Sequence, residues 1–419
     1  MPSTSGPSPA LPFPSPSQAV PATIRWTEDT IRRSARWHSE SAAPPPARVV
    51  VADDRMRADT AYRLVRQGTA LLWRGGFPSA RHLLDALRRR VDRAAPRRGD
   101  DPAEVFQRHR RDRAARARLL GRLLVLLEAD HSLDLRRAPD VRRACAEAYG
   151  PPSRSPSVAA EPTAVALTEL LGVIGAHQWR LKGVAVPALG GARVHPHYGV
   201  FPPTRAEYVD LVARAPLPGP HATAGPVGRR TRRGPRPGAR RRTAFDLGTG
   251  TGVLAAVLAR RGFDRVVATD ISPRALACAR DNVRRLGPAG TVEVTGPGLF
   301  PEGRADLVVC NPPWIPARPT SEVELGVYDD GGRMLRGFLA GLAAHLEPGG
   351  EGWLVLSDLA ERLGLRTRGE LADAIAAGGL RVVDRIDTAP RHPRARDAAD
   401  PLHAARAAET TSLWRLAVR

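Results

Sequence analysis

The sequence predicts an α/β protein: a doubly wound, mainly parallel sheet of seven strands in the C-terminal half, preceded by an all-α helical domain. Three observations carry this expectation. From Thr243 onward, short apolar runs alternate with amphipathic stretches in a β-α-β-α rhythm. The first run ends in a glycine-rich turn, Asp246-Leu247-Gly248-Thr249-Gly250-Thr251-Gly252, and the second ends on Asp270. Upstream, residues 52–150 carry apolar positions at helical spacing and several helix-start signals.

Taken in order, residues 1–47 are Pro- and Ser-rich, with Pro44, Pro45 and Pro46 in a row, and read as a disordered tail. Tyr62, Leu64, Val65, Leu71, Leu72 and Trp73 fit one amphipathic helix ended by Gly75-Gly76. A second helix begins near Ser79 with Leu83, Leu84, Leu87 and Val91. Asp101-Pro102-Ala103-Glu104 is a helix start: Asp101 caps, Pro102 suits the first turn and Glu104 completes a capping box. The apolar stretch Leu119 to Leu127 follows, and Pro139-Asp140-Val141 opens a short helix to Tyr149. Nothing in this domain, 52–150, looks catalytic, and by position it recognises the substrate.

Residues 151–162 read as a linker. The segment 163–215 reads as a short helix near 164–174, a hairpin from Trp179 to Val200 turning at Gly190-Gly191, and a connecting helix opened by Pro203. Residues 216–242 form an Arg/Gly/Pro-rich loop, and 243–419 the catalytic domain. Strands are expected near 243–247, 265–269, 291–295, 305–310, 351–357, 380–386 and 411–418, with helices near 251–261, 272–286, 332–346 and 366–378. No helix separates the last two strands, so the final strand is expected to run antiparallel.

The composition narrows the function. No apolar run approaches the ~20 residues that span a bilayer, and the N-terminus has no apolar signal core. Cys145, Cys278 and Cys310 stand far apart, with neither disulfide-framework nor metal-ligand spacing, which points to a reducing cytoplasm and no metal. The formal charge of +21 suits a polyanionic partner. Lys182 is the only lysine, however, so the excess is arginine and has the look of a GC-rich genome. The densest run, Arg229 to Arg242, lies in the expected loop, where it suits nucleic-acid contact without fixing the substrate.

The glycine turn ends a strand and opens a helix, where glycines permit close approach of a ligand and the helix N-terminus offers free N–H groups. A dinucleotide fingerprint would have glycine at position 253, and Val253 stands there. Asp246 suits a ligand with an ammonium group better than one with phosphates. Asp270, in Thr269-Asp270-Ile271-Ser272, stands where a carboxylate accepts from both ribose hydroxyls. An ordinary strand-to-helix turn is the plain alternative. These residues resemble the first two motifs of the class I methyltransferases, a Rossmann-like family. That resemblance implies S-adenosylmethionine as cofactor, held by Asp246, Gly248, Thr249, Gly250, Gly252, Asp270, Ile271 and Asn311, with Asp246 near the methionine moiety and Asp270 on the ribose.

Asp306 to Cys310 is an apolar strand that delivers Asn311-Pro312-Pro313-Trp314 at its C-terminal end. An amide or aromatic amine nitrogen is a poor nucleophile because its lone pair is delocalised. Asn311 Oδ1 and the Pro312 carbonyl can accept its two hydrogens, aim it at a sulfonium methyl and favour the developing positive charge. Pro313 fixes the backbone and Trp314 can stack on a planar group. An Asn-Pro turn is the alternative. The tetrapeptide resembles the Asn-Pro-Pro-aromatic motif of N-methyltransferases, which act on glutamine side chains, adenine N6 or guanine N2. The domain order resembles the release-factor glutamine N5-methyltransferases and the catalytic half the small-domain rRNA methyltransferases. Two departures are visible: Trp314 replaces the usual tyrosine, and Gly298, before Leu299-Phe300, replaces an acidic residue that contacts adenine.

Smaller candidates remain. Pro203-Thr204-Arg205-Ala206-Glu207 resembles a Pro-x-x-Thr-Glu segment that closes over the site, and is equally a helix cap. His195 and His197 share a strand face but lack a third ligand. Asp330 is expected to cap the helix after Tyr328-Asp329-Asp330. The expected acceptor is a protein glutamine, in a translation factor for instance. The runner-up is an exocyclic base amine in rRNA, and the third reading is a non-catalytic RNA- or ribosome-binding protein.

Overall fold

The computed structural model describes residues 22–92, 101–152, 161–218, 240–321 and 323–419. Two sheets organise them. The C-terminal sheet has seven strands in the order β11-β10-β9-β12-β13-β15-β14. These are β9 (Thr243–Leu247), β10 (Arg265–Thr269), β11 (Val292–Thr295), β12 (Ala305–Cys310), β13 (Leu346–Ser357), β14 (Leu380–Thr388) and β15 (Thr411–Val418). β11, β10, β9, β12 and β13 run parallel, while β15 is antiparallel to both β13 and β14.

Alternation along each strand feeds two apolar layers, as a parallel sheet buried on both faces requires. Ala244, Leu307 and Val309 face a core built with α6 (Ala206–Arg214) and α7 (Val253–Arg260). Phe245, Val308 and Cys310 face the opposite core, built with α9 (Arg333–His345) and α11 (Arg368–Ala377). Three further helices complete this unit: α8 (Pro273–Leu286), α10 (Leu359–Arg362) and α12 (His403–Ala407).

The N-terminal region corrects the all-α expectation. It is a second α/β unit around a six-stranded sheet, β1-β2-β6-β5-β4-β3. Its strands are β1 (Thr23–Glu28), β2 (Ile31–Trp37), β3 (Val49–Ala52), β4 (Ala70–Trp73), β5 (Leu123–Leu127) and β6 (Thr163–Ala166). Its helices are α1 (Ala58–Arg66), α2 (Phe77–Asp92), α3 (Pro102–Leu120), α4 (Arg142–Tyr149) and α5 (Leu167–Lys182). The long helix expected from Tyr62 to Trp73 is therefore α1 followed by β4, and the Leu119–Leu127 stretch ends α3 and forms β5. Every residue of β4 and β5 is buried, so neither run shows the alternation that distinguishes a strand from a helix continuation. Helices α1, α2, α4 and α5 cover one face. On the other, Ile24, Trp26, Leu72, Leu124 and Leu126 pack together where β1 lies against β3 and the sheet curls on itself.

Other boundaries also shift. Residues 22–47 of the expected disordered tail contain β1 and β2, a hairpin whose strand β2 joins β6; residues 1–21 lie outside the described residues. Most of the 151–162 linker also lies outside them, although Pro162 accepts a backbone bond from Arg36. The short helix near 164–174 is β6 plus α5, which continues to Lys182 and consumes the start of the expected hairpin. What remains is the two-residue pair β7 (Val184–Ala185) with β8 (Arg193–Val194), turning at Gly190 and Gly191. Of the 216–242 loop, positions 219–239 and so Arg229 lie outside the described residues. Arg240 is paired with Asp306 and Glu347, and Arg242 stacks on Phe263.

Candidate active site

Three strand ends make the site. In the register of the sheet, Leu247 of β9 lies opposite Thr269 of β10 on one side and Cys310 of β12 on the other. The next residue on each strand is therefore Gly248, Asp270 and Asn311. Motifs 22 to 63 positions apart in the chain thus reach the carboxyl edge of the sheet side by side.

The glycine turn is held from below by Asp246. Its carboxylate is buried, and Oδ2 accepts from Thr249 Oγ1 at 2.6 Å and from Ala255 N at 2.9 Å, in the first turn of α7. Oδ1 is buried with no hydrogen-bond partner among the described residues. Burial pushes this carboxyl up to about 6; the Thr249 and Ala255 bonds oppose that shift and the nearby Asp270 charge adds to it. Gly248, Gly250 and Gly252 all have positive φ. Apart from its chain neighbours, a Cβ on Gly250 would meet no atom of the described residues within 4 Å and would stand in open space.

Asp270 lies beside this turn. Oδ2 accepts from Gly250 N at 3.0 Å and Oδ1 from Ser272 N at 2.9 Å, and burial raises its pKa. Ser272 caps α8 by accepting from Ala275 N, with Pro273 in the first turn, so the carboxylate position is fixed to a helix start. Ile271 is exposed and free to cover a ligand. The 298–300 segment is tied alongside, since Gly298 N donates to the Asp270 carbonyl and Thr269 Oγ1 to that of Leu299.

At the end of β12, Asn311, Pro313 and Trp314 are half-buried and Pro312 is buried. The Trp314 indole N–H donates to Asn311 Oδ1 at 2.9 Å. Beyond it, Ile315 pairs with Tyr328, and the loop between them returns to Asp329. Asp329, rather than the expected Asp330, caps α9 by accepting from Met334 N and Leu335 N. Helix α3 of the N-terminal unit packs on this loop through Phe106, and Arg110 lies over the Tyr328 ring at 4.3 Å. Asp101 caps that helix, accepting from Ala103 N.

Two residues of the 203–207 segment enter the site region. Arg205 bonds the buried Glu409 and stacks on Trp314 at 4.9 Å, while Glu207 is buried with Oε1 unpartnered among the described residues. Sequence reasoning missed the Arg205–Glu409 pair, since 204 residues separate its members. His195 and His197 do not converge on a common point: His195 Nδ1 lies 2.6 Å from the Arg180 carbonyl, and His197 pairs with Asp281 at 2.9 Å. Among the described residues no cluster of His, Cys, Asp or Glu could hold a metal, and no helix is long and apolar enough to cross a membrane. The three cysteines are buried and unpaired.

The N-terminal unit grips helix α8. Arg274 bonds Glu40 at 2.7 Å and the Ala148 carbonyl at 3.0 Å, and Asp281 pairs with Arg180 at 3.4 Å. Despite the cost of burial, hydrogen bonds from His38 and Arg274 hold the Glu40 carboxyl down at about 2.

Parts of this chain are similar to known proteins. The ribosomal protein L11 methyltransferase of Pelotomaculum thermopropionicum is 37% identical over 188 residues, covering 43% of this chain and 52% of that protein. The release factor glutamine methyltransferase of Cereibacter sphaeroides is 39% identical over 123 residues, covering 26% of this chain and 44% of that protein. The chain thus spans about half, or less, of the length of these curated relatives. Among solved structures, the ribosomal protein L11 methylase of Lactobacillus delbrueckii subsp. bulgaricus is similar at 18% identity and a TM-score of 0.29, over 44% of this chain and 73% of that one. The family model that matches is the methyltransferase small domain, over residues 236–363, the segment that contains the glycine turn, Asp270 and Asn311-Pro312-Pro313-Trp314. Over residues 236–363 this chain is similar to the methyltransferase small domain.

Proposed function

We infer that the chain is an S-adenosylmethionine-dependent N-methyltransferase whose acceptor is a planar amide nitrogen, best a glutamine side chain of a cytoplasmic translation protein. One observation carries this reading: the register that sets Gly248, Asp270 and Asn311 on adjacent strand ends. The residues fit the cofactor. Asp246 keeps a buried, unpartnered Oδ1, which suits an ammonium group, and the space a Gly250 side chain would fill is free for a ligand. Asp270 keeps lone pairs for ribose hydroxyls beyond the two backbone bonds it accepts. When bound, S-adenosylmethionine supplies an electrophilic methyl on a sulfonium.

The residues of the chain do the rest. Asn311 Oδ1 has a second lone pair beyond the one used by Trp314, and with the Pro312 carbonyl it accepts the two hydrogens of the acceptor nitrogen. Holding them favours the cationic nitrogen over the neutral amide, so the effect is largest as positive charge develops. The Trp314 ring offers a flat apolar wall for the carboxamide plane. The proton leaves after transfer, so no strong base is needed.

The relatives named above, which methylate ribosomal protein L11 or a release factor, favour a protein acceptor. The test is transfer of radiolabelled methyl from S-adenosylmethionine into a cell extract, separated into protein and nucleic-acid fractions. Label in protein, lost with Asn311→Ala while cofactor binding survives, is expected. Label in RNA would move the acceptor to an exocyclic base amine. No label in either fraction would sink the reading.

A further inference from the structure

We propose that Arg205 and Glu409 are positioning residues for Asn311, acting through the indole of Trp314. The proposal rests on the N-methyltransferase reading and names how its central side chain is held.

A terminal carboxamide has two orientations related by a half-turn, and they present opposite chemistry to an incoming amide: an acceptor oxygen or a donor NH₂. Only one suits a nitrogen whose hydrogens must be accepted. The indole N–H of Trp314 is a donor with no acceptor capacity, and it meets Asn311 Oδ1 at 2.9 Å. The reversed carboxamide would set N–H against N–H. The ring therefore selects the productive orientation, which the phenol or phenyl of a tyrosine or phenylalanine at this position has no N–H to do.

The ring needs its own support, because it is half-buried at the end of β12. The guanidinium of Arg205 lies 4.9 Å from its centroid. Arg205 is fixed in turn by a two-point bond to Glu409, at 2.7 and 3.4 Å. Glu409 is 3% exposed, and its Oε1 also accepts from Ser357 Oγ at 2.7 Å. Ser357 is the last residue of β13, and Glu409 stands just before β15. The anchor is thus two strand ends of the catalytic sheet, while Arg205 belongs to the connector from the N-terminal unit. Buried, hydrogen-bonded charge of this kind is rigid when fully satisfied. The chain Glu409–Arg205–Trp314–Asn311 ends on the atom that touches the acceptor.

The competing account is that the Arg205–Glu409 pair merely closes the end of the sheet. The two differ in how substitutions combine. If Arg205 acts through Trp314, its loss matters little once the indole is gone; if it is only structural, the losses add. Removing one member of a buried pair risks unfolding, so conservative variants are used: Arg205→Lys, Glu409→Gln, Trp314→Phe and the double variant R205K/W314F. Each is assayed with tritiated S-adenosylmethionine and the extract fraction that the wild type labels. The Trp314 indole proton, assigned by its absence in Trp314→Phe, is followed by ¹⁵N-edited NMR.

Arg205→Lys, Glu409→Gln and Trp314→Phe are each expected to lower turnover at saturating cofactor on the order of 10- to 100-fold. Calorimetric affinity for S-adenosylmethionine should stay within roughly two-fold of wild type. R205K/W314F should be no slower than Trp314→Phe alone. The Trp314 indole proton should move upfield in Arg205→Lys and in Asn311→Ala, as its hydrogen bond weakens. Wild-type turnover in Trp314→Phe, additive losses in the double variant, or an unmoved indole resonance would each overturn the positioning role and leave the methyltransferase reading intact. A wild-type protein that binds the cofactor and labels nothing overturns that reading, and this proposal with it.

Discussion

Asp270 and Gly250 are joined directly: Oδ2 of the carboxylate accepts the glycine N–H at 3.0 Å. The residue proposed to hold the ribose therefore also holds the glycine turn proposed to carry the cofactor. Asp270→Ala removes both functions. Hydrogen bonds to a charged group contribute about 1.5–3 kcal/mol each, so affinity for S-adenosylmethionine should fall roughly 100-fold. Isothermal titration calorimetry measures this. An unchanged dissociation constant would remove Asp270 from the cofactor site.

Gly250 gives a sharper test of the same crevice. Its φ is +53°, and apart from its chain neighbours no atom of the described residues lies within 4 Å of an added Cβ. Gly250→Ala should cost the free protein only about 1–2 kcal/mol of backbone strain. The methyl would occupy cofactor space, so binding should fail while the fold survives. Circular dichroism checks the fold and calorimetry the binding; normal affinity in the variant would mean that the ligand does not approach this turn.

The Asp246 carboxyl has a folded pKa of about 6, pushed up chiefly by burial, against an ordinary value of 3.8. A group raised on folding contributes stability that is complete below its unfolded pKa and lost as pH rises through the folded one. Compared with Asp246→Asn, the unliganded wild type should therefore lose thermal stability between pH 4 and 7. A ligand ammonium reverses this by favouring the carboxylate. Cofactor affinity should climb with pH up to about 6, by at most about ten-fold per unit, and then level off. A flat profile in both measurements would leave Asp246 without a partner cation.

Phe106 is buried, and from α3 of the N-terminal unit it packs with Ile315, Tyr328, Leu359 and Leu363 of the C-terminal unit. Phe106→Ala should destabilise the chain by about 3–5 kcal/mol, as large-to-small changes in a core do. Denaturant unfolding reads the loss. Because this contact supports the loop after Trp314, turnover should fall further than cofactor affinity.

The C-terminal unit was legible because its punctuation is strong. Gly248 and Gly250 stop β9, Pro273 starts α8 behind a serine cap, and Asn311-Pro312 ends β12. Each of these signals is local. The N-terminal unit hides its architecture for the opposite reason. Val125 of β5 pairs with Val165 of β6, and Arg36 of β2 with Thr163 of the same strand, across long stretches of sequence. A four-residue run such as Ala70–Trp73, buried on both sides, carries no period of its own. The site divides in the same way. Gly248, Asp270 and Asn311 announce themselves by motif, whereas Glu409 is an ordinary glutamate until folding brings Arg205 and Ser357 to it.

Helix α8 begins beside the Asp270 carboxylate and carries, on the same rigid rod, Arg274 and Asp281, which the N-terminal unit holds. The neighbouring unit therefore braces that side of the crevice. Such sharing makes the two occupancies thermodynamically reciprocal. Any factor that a ligand of the N-terminal unit imposes on affinity at the crevice, a ligand in the crevice imposes on it in return.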